Sequence, residues 1–146
     1  MGTRARIALQ TGKTFLSIYT HWDGYPSHHG PILLNHYNTP AKVRELIKLG
    51  DLSSLGKEIG EEHDPDSDSK PLEAKDWCKA YLRDCGEKNV SAKHSATLKA
   101  LESLADRYNA DHTYLFTPEG WRMNDSGAAG VWKDLALEVI KTKLTA

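Results

Sequence analysis

The fold is decided by residues 4–22, RARIALQTGKTFLSIYTHW. Polar and apolar side chains alternate over residues 4–10, which predicts a strand whose face carrying Arg4 and Arg6 is exposed to water. A Gly-containing turn follows, and residues 14–22 are rich in β-branched and aromatic side chains, which predicts the second strand of a hairpin. Both faces of this second strand carry large apolar groups. It is therefore expected to be central in its sheet or to face a ligand.

The rest of the chain alternates between helical and strand patterns. Periodicity and capping signals predict helices over residues 31–37, 40–50, 95–108 and 131–144, and a second hairpin over 112–124. Residues 51–59 are expected to form a short turn or helix. Residues 76–85 fit either a strand or a helix, and we expect the strand. The sum is an α+β fold with an antiparallel sheet of four to five strands packed with three to four helices.

Length and composition narrow the classes of protein that this chain can represent. It has 146 residues, of which 39% are hydrophobic, and its 19 Lys and Arg against 20 Asp and Glu leave a net charge of −1. These values predict a single domain over residues 1–146. No apolar run reaches the length of a membrane span, so no membrane association is expected. The balanced charge excludes an overall polycation, and we expect no tight binding to duplex DNA.

Two further expectations concern the acidic segment and the compartment. The segment at about 61–75 is rich in acids and serines and contains Pro65, so it is expected to be a mobile, solvated loop. The first residues, Met1–Arg6, show no apolar secretory signal, and two cysteines cannot build a disulfide framework. A cytoplasmic location is therefore expected.

The unusual chemistry concentrates in HWDGYPSHHG, residues 21–30. This stretch links a predicted strand to a predicted helix, and the helix N-terminus after Gly30 would attract an anion. Side chains in or beside the stretch would complete a pocket for a nucleotide-like anion by stacking, donating hydrogen bonds or neutralising phosphate. The ligand-binding residues predicted in this way are Arg4, Arg6, His21, Trp22, Asp23, Tyr25, His28 and His29.

Two other interpretations of this stretch stay open. In one, His21, Asp23, His28 and His29, or His36, hold a metal ion in a small hydrolase or phosphodiesterase, although their spacing matches no named metal motif. In the other, the stretch is a structural loop or a protein interface. The binding interpretation is preferred because Gly and Pro make rigid convergence of metal ligands doubtful, and no cofactor is predicted. Protonation of His28 or His29 is expected to strengthen anion binding as the pH falls from about 7.5 to 6.

A homodimer is also expected, because several aromatic residues lie on elements whose other faces already supply a core. These aromatic residues are Trp77, Tyr81, Trp121 and Trp132.

The opening Met1–Ile7, together with Ile18–Pro26 and its HWDGYP string, resembles a group of small uncharacterised proteins from bacteriophages and prophages. The similarity continues through Gly50–Leu55. The resemblance implies a phage origin and carries no known site residues. By analogy with small phage accessory proteins, it implies a role against a host defence system. The protein would either sequester a nucleotide-like signal or bind a host effector protein.

Overall fold

The computed structural model describes residues 3–67 and 69–145, with side chains through residue 141. The strands are β1 (Ala5–Thr11), β2 (Thr14–Thr20), β3 (Leu52–Ser54), β4 (Lys79–Ala80), β5 (Lys93–Ser95), β6 (His112–Thr117), β7 (Gly120–Asp125) and β8 (Lys133–Asp134). The α-helices are α1 (Pro26–His36), α2 (Pro40–Lys48), α3 (Tyr81–Cys85), α4 (Leu98–Arg107) and α5 (Leu135–Thr145), and a 3-10 helix covers Leu72–Asp76. The α+β class is therefore confirmed.

The eight strands form one mixed sheet in the order β4-β3-β2-β1-β6-β7-β8, with β5 paired to the hairpin end of β2. Both predicted hairpins are confirmed, as β1–β2 and β6–β7. An antiparallel sheet of four to five strands is wrong, because β1 pairs with β6 in parallel and β2 pairs with β3 in parallel. The strands missed from the sequence contain only two or three residues, too few to show an alternating pattern.

Helices cover both faces of the sheet and create two cores. The larger core lies under α1, α2 and α5, and the smaller one lies under α4. Alternation along β1 sends Ile7 and Leu9 to the larger core and Ala8 to the smaller one. Arg6 shares the α4 side and is fully buried, so the expectation of a water-facing side for β1 is wrong. The amphipathic helix α4 covers the face that the hairpin pattern alone assigns to solvent.

Several helix boundaries also differ from the predictions. Helix α1 begins at Pro26 instead of Pro31, which lies inside the helix. Pro26 takes the first helical position, where a backbone N–H would have no partner within the helix, so its absence from proline breaks no hydrogen bond. The helices predicted over 95–108 and 131–144 begin later, because Lys93–Ser95 and Lys133–Asp134 pair with neighbouring strands.

Two segments differ in secondary structure from the prediction made from the sequence. Residues 51–59 contain β3 instead of a turn or helix, because Leu52 pairs with both β2 and β4. Residues 76–85 combine the two alternatives, with the short strand β4 followed directly by α3, which ends at the left-handed Gly86. Within the acidic segment, residues 61–67 and 69–71 form no helix or strand; residue 68 lies outside the described residues. No described helix is long and apolar enough to cross a bilayer.

The aromatic residues expected in a dimer interface make contacts within the chain. Trp121 is buried and donates its indole N–H to the carbonyl oxygen of Tyr37 at 2.8 Å. Trp132 donates its indole N–H to Glu102 at 2.8 Å, and the Trp77 ring packs edge-on against His63. Tyr81 is half-buried beside Ser53. Trp121 is therefore unavailable to a dimer interface, while Trp77, Tyr81 and Trp132 remain partly exposed and the homodimer stays a prediction.

Candidate functional site

The structure divides the eight predicted ligand-binding residues between the two sides of the sheet. The group near α4 comprises Arg4, Arg6, His21 and Trp22. The group in the loop before α1 and in its first turn comprises Asp23, Tyr25, His28 and His29. The single pocket predicted from the sequence therefore does not form, and each group has its own chemistry.

Arg6 is the most unusual side chain of the α4 group. Its Nε donates to Ser17 Oγ at 2.8 Å, and its Nη2 donates to the Ser17 carbonyl oxygen at 3.3 Å. Its Nη1 is buried and has no hydrogen-bond partner among the described residues. Within the same part of the chain, no carboxylate lies within the 4.0 Å ion-pair distance of Arg6. Among the described residues, the buried guanidinium thus has one NH2 group without an acceptor and a charge without a close counter-ion.

Charged neighbours compensate Arg6 only at longer range. Burial lowers the pKa of the Arg6 guanidinium, and the negative charge of Asp51 partly offsets this shift. Asp51 already accepts the backbone N–H of Tyr19 at 2.9 Å, and burial raises its pKa. An arginine remains charged in proteins because its ordinary pKa lies above about 12. The positive charge of Arg6 therefore favours an additional anion nearby.

Tyr108, the residue that follows α4, covers the Arg6 guanidinium. Its ring centroid lies 5.3 Å from Arg6 Cζ, 5.6 Å from Lys93 Nζ and 6.3 Å from the Tyr19 ring. The side chain remains 37% exposed. The ring thus interacts with two cations and still presents a surface to solvent, as a flat ligand requires for stacking.

The aromatic surface continues along the residues that follow β2. The Tyr19 hydroxyl and His21 Nδ1 are hydrogen-bonded at 2.8 Å, and the His21 ring meets Trp22 edge-on at 4.7 Å. Trp22 is 46% exposed. The backbone N–H groups of His21 and Trp22 donate to β3 carbonyl oxygens at 3.1 and 3.0 Å, which fixes their position. We name Arg6, Tyr19, His21, Trp22 and Tyr108 the Arg6 site.

Arg4 and a groove lined by basic residues add positive charge beside the Arg6 site. Burial raises the pKa of Tyr19, and the charge of nearby Arg4 opposes that shift. A groove of about 440 Å³ lies between β5 and α4 and is lined by Lys93, His94 and Arg107, with no acidic side chain from the described part of the chain. Lys93 joins this groove to the Tyr108 ring. Negative groups of a ligand held at the Arg6 site would therefore meet cations in the groove.

On the other side of the sheet, His29 is fully buried and fully partnered. Its Nε2 lies 3.1 Å from Thr20 Oγ1, and that hydroxyl lies 3.3 Å from the Ala5 carbonyl oxygen to which it donates. Its Nδ1 lies 3.1 Å from His28 Nδ1. Burial, reinforced by His28, lowers the pKa of His29 to about 3. His29 therefore stays neutral near pH 7, and the expectation that it protonates to bind an anion is wrong.

The helix N-terminus predicted after Gly30 is also not available to an anion. Pro26 has no N–H, and the N–H groups of His28 and His29 both donate to the Tyr25 carbonyl oxygen at 3.0 Å. Gly30 lies inside α1, where its Cβ position would meet Val139 of α5. Anion binding at this end of α1 therefore loses the donors on which the prediction depended.

The metal alternative also lacks a suitable geometry. Within residues 3–67 and 69–145, no three His, Cys, Asp or Glu side chains converge closely enough to hold a metal ion. His21 is bonded to Tyr19, and His28 is bonded to His29. Of the proposed metal ligands, His21 is thus bonded apart from the pair that His28 and His29 form.

Sequence reasoning missed Ser17, Tyr19, Asp51, Lys93 and Tyr108 as neighbours of Arg6. One signal was present: the second strand carries large groups on both faces, which is typical of a strand that faces a ligand or a second layer. Asp51, Lys93 and Tyr108 come from distant elements, and only the β2–β3 and β2–β5 pairings bring the first two beside the hairpin.

No family model, curated protein or solved structure matches this chain.

Proposed function

We propose that this protein binds an anionic, nucleotide-like ligand at the Arg6 site and does not convert it chemically. The single observation that carries the proposal is the unpartnered, buried Nη1 of Arg6. Removing an ion from water costs several kcal/mol unless an opposite charge and hydrogen bonds replace the water. A phosphate or similar anion supplies both to a guanidinium.

The surroundings of Arg6 favour a ligand that carries a flat ring as well as negative charge. Trp22 and Tyr108 are exposed and adjacent to His21 and Tyr19, and each base stacked on an aromatic ring contributes about 1–3 kcal/mol. The basic groove beside Tyr108 would accept further negative groups. Entry of the anion to Nη1 requires the Tyr108 side chain to move, because this ring covers Arg6.

The biological role follows from the resemblance to phage proteins. A phage accessory protein with an anion site would antagonise a host defence system by sequestering its nucleotide signal. A host defence protein is the other partner that this role allows. No observation on the described residues favours a metal-dependent hydrolase.

Isothermal titration calorimetry with inorganic phosphate and a panel of linear and cyclic nucleotides tests the proposal. We expect at least one nucleotide to bind with a dissociation constant in the micromolar range or below. Arg6→Met should weaken binding at least about tenfold, because it removes a hydrogen bond to a charged group. Trp22→Ala should weaken it by roughly 5- to 150-fold, because it removes a stacking surface.

His28→Ala is the matched control, because His28 lies on α1 and contacts His29 instead of the Arg6 site. It should leave nucleotide binding unchanged. Circular dichroism of each variant establishes that the fold is retained. Nucleotide binding that is equal in the parent, Arg6→Met and Trp22→Ala would contradict the site. Binding of no nucleotide would contradict the ligand class and favour a host protein, and product detected by chromatography would contradict binding without turnover.

A further inference from the structure

A second cavity lies at the hairpin end of β1 and β2, away from the Arg6 site. It encloses about 370 Å³ between α2, the hairpin and residues 91–92. Its apolar wall includes Leu9 and Leu16, which pair across β1 and β2, and Ile47 of α2. Leu9 belongs to the larger core, so this cavity and Arg6 lie on opposite faces of the sheet.

Two cations line the same cavity and are left unpaired. Arg44 and Lys48 lie four residues apart on α2, one helical turn from each other. Neither side chain makes a hydrogen bond or an ion pair with any residue that the structure describes. Elsewhere on the same helix, Lys42 pairs with Glu45 at 3.8 Å, and no acidic residue lines the cavity.

The helix dipole explains only one of these cations. Lys48 is the last residue of α2, where the partial negative charge of the helix C-terminus favours a cation. Arg44 lies a full turn earlier, where the dipole effect has faded. An apolar cavity lined by two solvent-exposed cations therefore suits a ligand that has an apolar part and a negative end.

The wall formed by residues 91–92 is held in place by a close backbone contact. The N–H of Asp51 donates to the Val90 carbonyl oxygen at 2.7 Å. A Cβ at Gly50 would lie 2.4 Å from that oxygen, so only glycine permits the approach, and its positive φ of 77° suits glycine as well. Lys93 then pairs with Ser17 of β2. The cavity is therefore formed by fixed elements, as small-molecule sites usually are.

We propose that this cavity binds a medium-chain monocarboxylic acid. The alkyl chain lies against Leu9, Leu16 and Ile47, and the carboxylate is held by Arg44 and Lys48. The cavity volume of about 370 Å³ lies within the range of about 300–1,000 Å³ that is usual for small-molecule sites. This site is independent of the nucleotide-like ligand proposed for Arg6.

Titration of the full chain with butanoate, octanoate and decanoate, followed by calorimetry or amide NMR shifts, tests the proposal. Octanol is the uncharged comparison. We expect roughly fourfold tighter binding per added methylene up to about ten carbons, which corresponds to ~0.8 kcal/mol each. Octanol should bind at least about tenfold more weakly than octanoate, because it lacks the charge-assisted hydrogen bonds.

The double variant Arg44→Gln/Lys48→Gln should weaken decanoate binding at least about tenfold. Lys42→Gln is the matched control, because Lys42 lies on the same helix and pairs with Glu45 outside the cavity; it should leave binding unchanged. These side chains are exposed, so the fold should survive each change. Equal affinity for octanol and octanoate, decanoate binding unaffected by the double variant, or no decanoate binding at millimolar concentration would each overturn the proposal.

Discussion

Arg6 and His29 are both fully buried polar side chains, and they lie on opposite faces of the same hairpin. His29 is neutral, with Thr20 and His28 beside its two ring nitrogens. Arg6 is charged, and one of its nitrogens is without a partner in the described part of the chain. Burial therefore does not distinguish a structural polar group from a functional one. A structural polar group and a functional one differ instead in whether their charge and hydrogen bonds are satisfied.

His29 and Arg6 also differ in their contributions to the free energy of folding. A neutral, satisfied hydrogen bond contributes about 0.5–1.5 kcal/mol to folding. A buried charge without a close counter-ion is unfavourable and is retained where it serves a task such as binding. We therefore interpret His29 as part of the structure and Arg6 as part of a site.

The largest expected effect concerns the neutrality of His29. Its pKa of about 3 in the folded protein lies below the unfolded value of about 6.5, so the unfolded state binds a proton first as the pH falls. The stability that this group contributes is present above pH 6.5 and is lost towards pH 3. Urea unfolding should show that the parent loses about 3 kcal/mol more than His29→Gln between pH 6.5 and pH 4.

His94→Gln provides the control for this measurement, because His94 is exposed on β5. It should retain the pH dependence of the parent. A His29→Gln variant whose free energy of unfolding varies with pH like that of the parent would show that His29 takes up a proton in the folded state. The comparison with Arg6 would then fail.

A smaller effect should appear when each buried group is replaced by an apolar one. His29→Leu should lower the free energy of unfolding by about 1–3 kcal/mol, because it leaves the partners of His29 unsatisfied. Arg6→Met should change it by no more than about 1 kcal/mol, or raise it, because the variant removes a buried and incompletely paired charge. Urea unfolding at pH 7 measures both variants. A larger loss for Arg6→Met than for His29→Leu would assign the structural role to Arg6.

Much of the fold follows from local patterns in the sequence. The hairpins β1–β2 and β6–β7 were predicted because alternation over six or seven residues and a glycine turn carry a strong signal. Strands β4 and β8 have two residues each, and their existence depends on the neighbours with which they pair. The start of α1 was predicted five residues late, because Pro31 was taken as the first helical position, whereas Pro26 also fits that position and occupies it.

The candidate site was only partly predictable. Arg6, His21 and Trp22 were selected from the sequence because their types suit anion binding, and their role in binding stays a prediction. Their separation from His28 and His29 follows from the alternation of side chains about the sheet, which a sequence motif does not show. Tyr108 was predicted only as the last residue of the helix over 95–108, since nothing local indicates that its ring would cover an arginine 102 positions earlier in the chain.

The smallest expected effect concerns Asp51, whose negative charge acts on Arg6 from beyond ion-pair distance. In Asp51→Asn the amide oxygen still accepts the Tyr19 N–H, while the charge that competes with a bound anion is removed. Partly exposed charge pairs contribute up to about 1 kcal/mol, so binding of a nucleotide at the Arg6 site should tighten by up to roughly fivefold. Calorimetry in low salt, where screening is weakest, measures the change. Weaker binding in Asp51→Asn would mean that Asp51 contacts the ligand directly, and the positive charge of Arg6 would then not be what selects an anion.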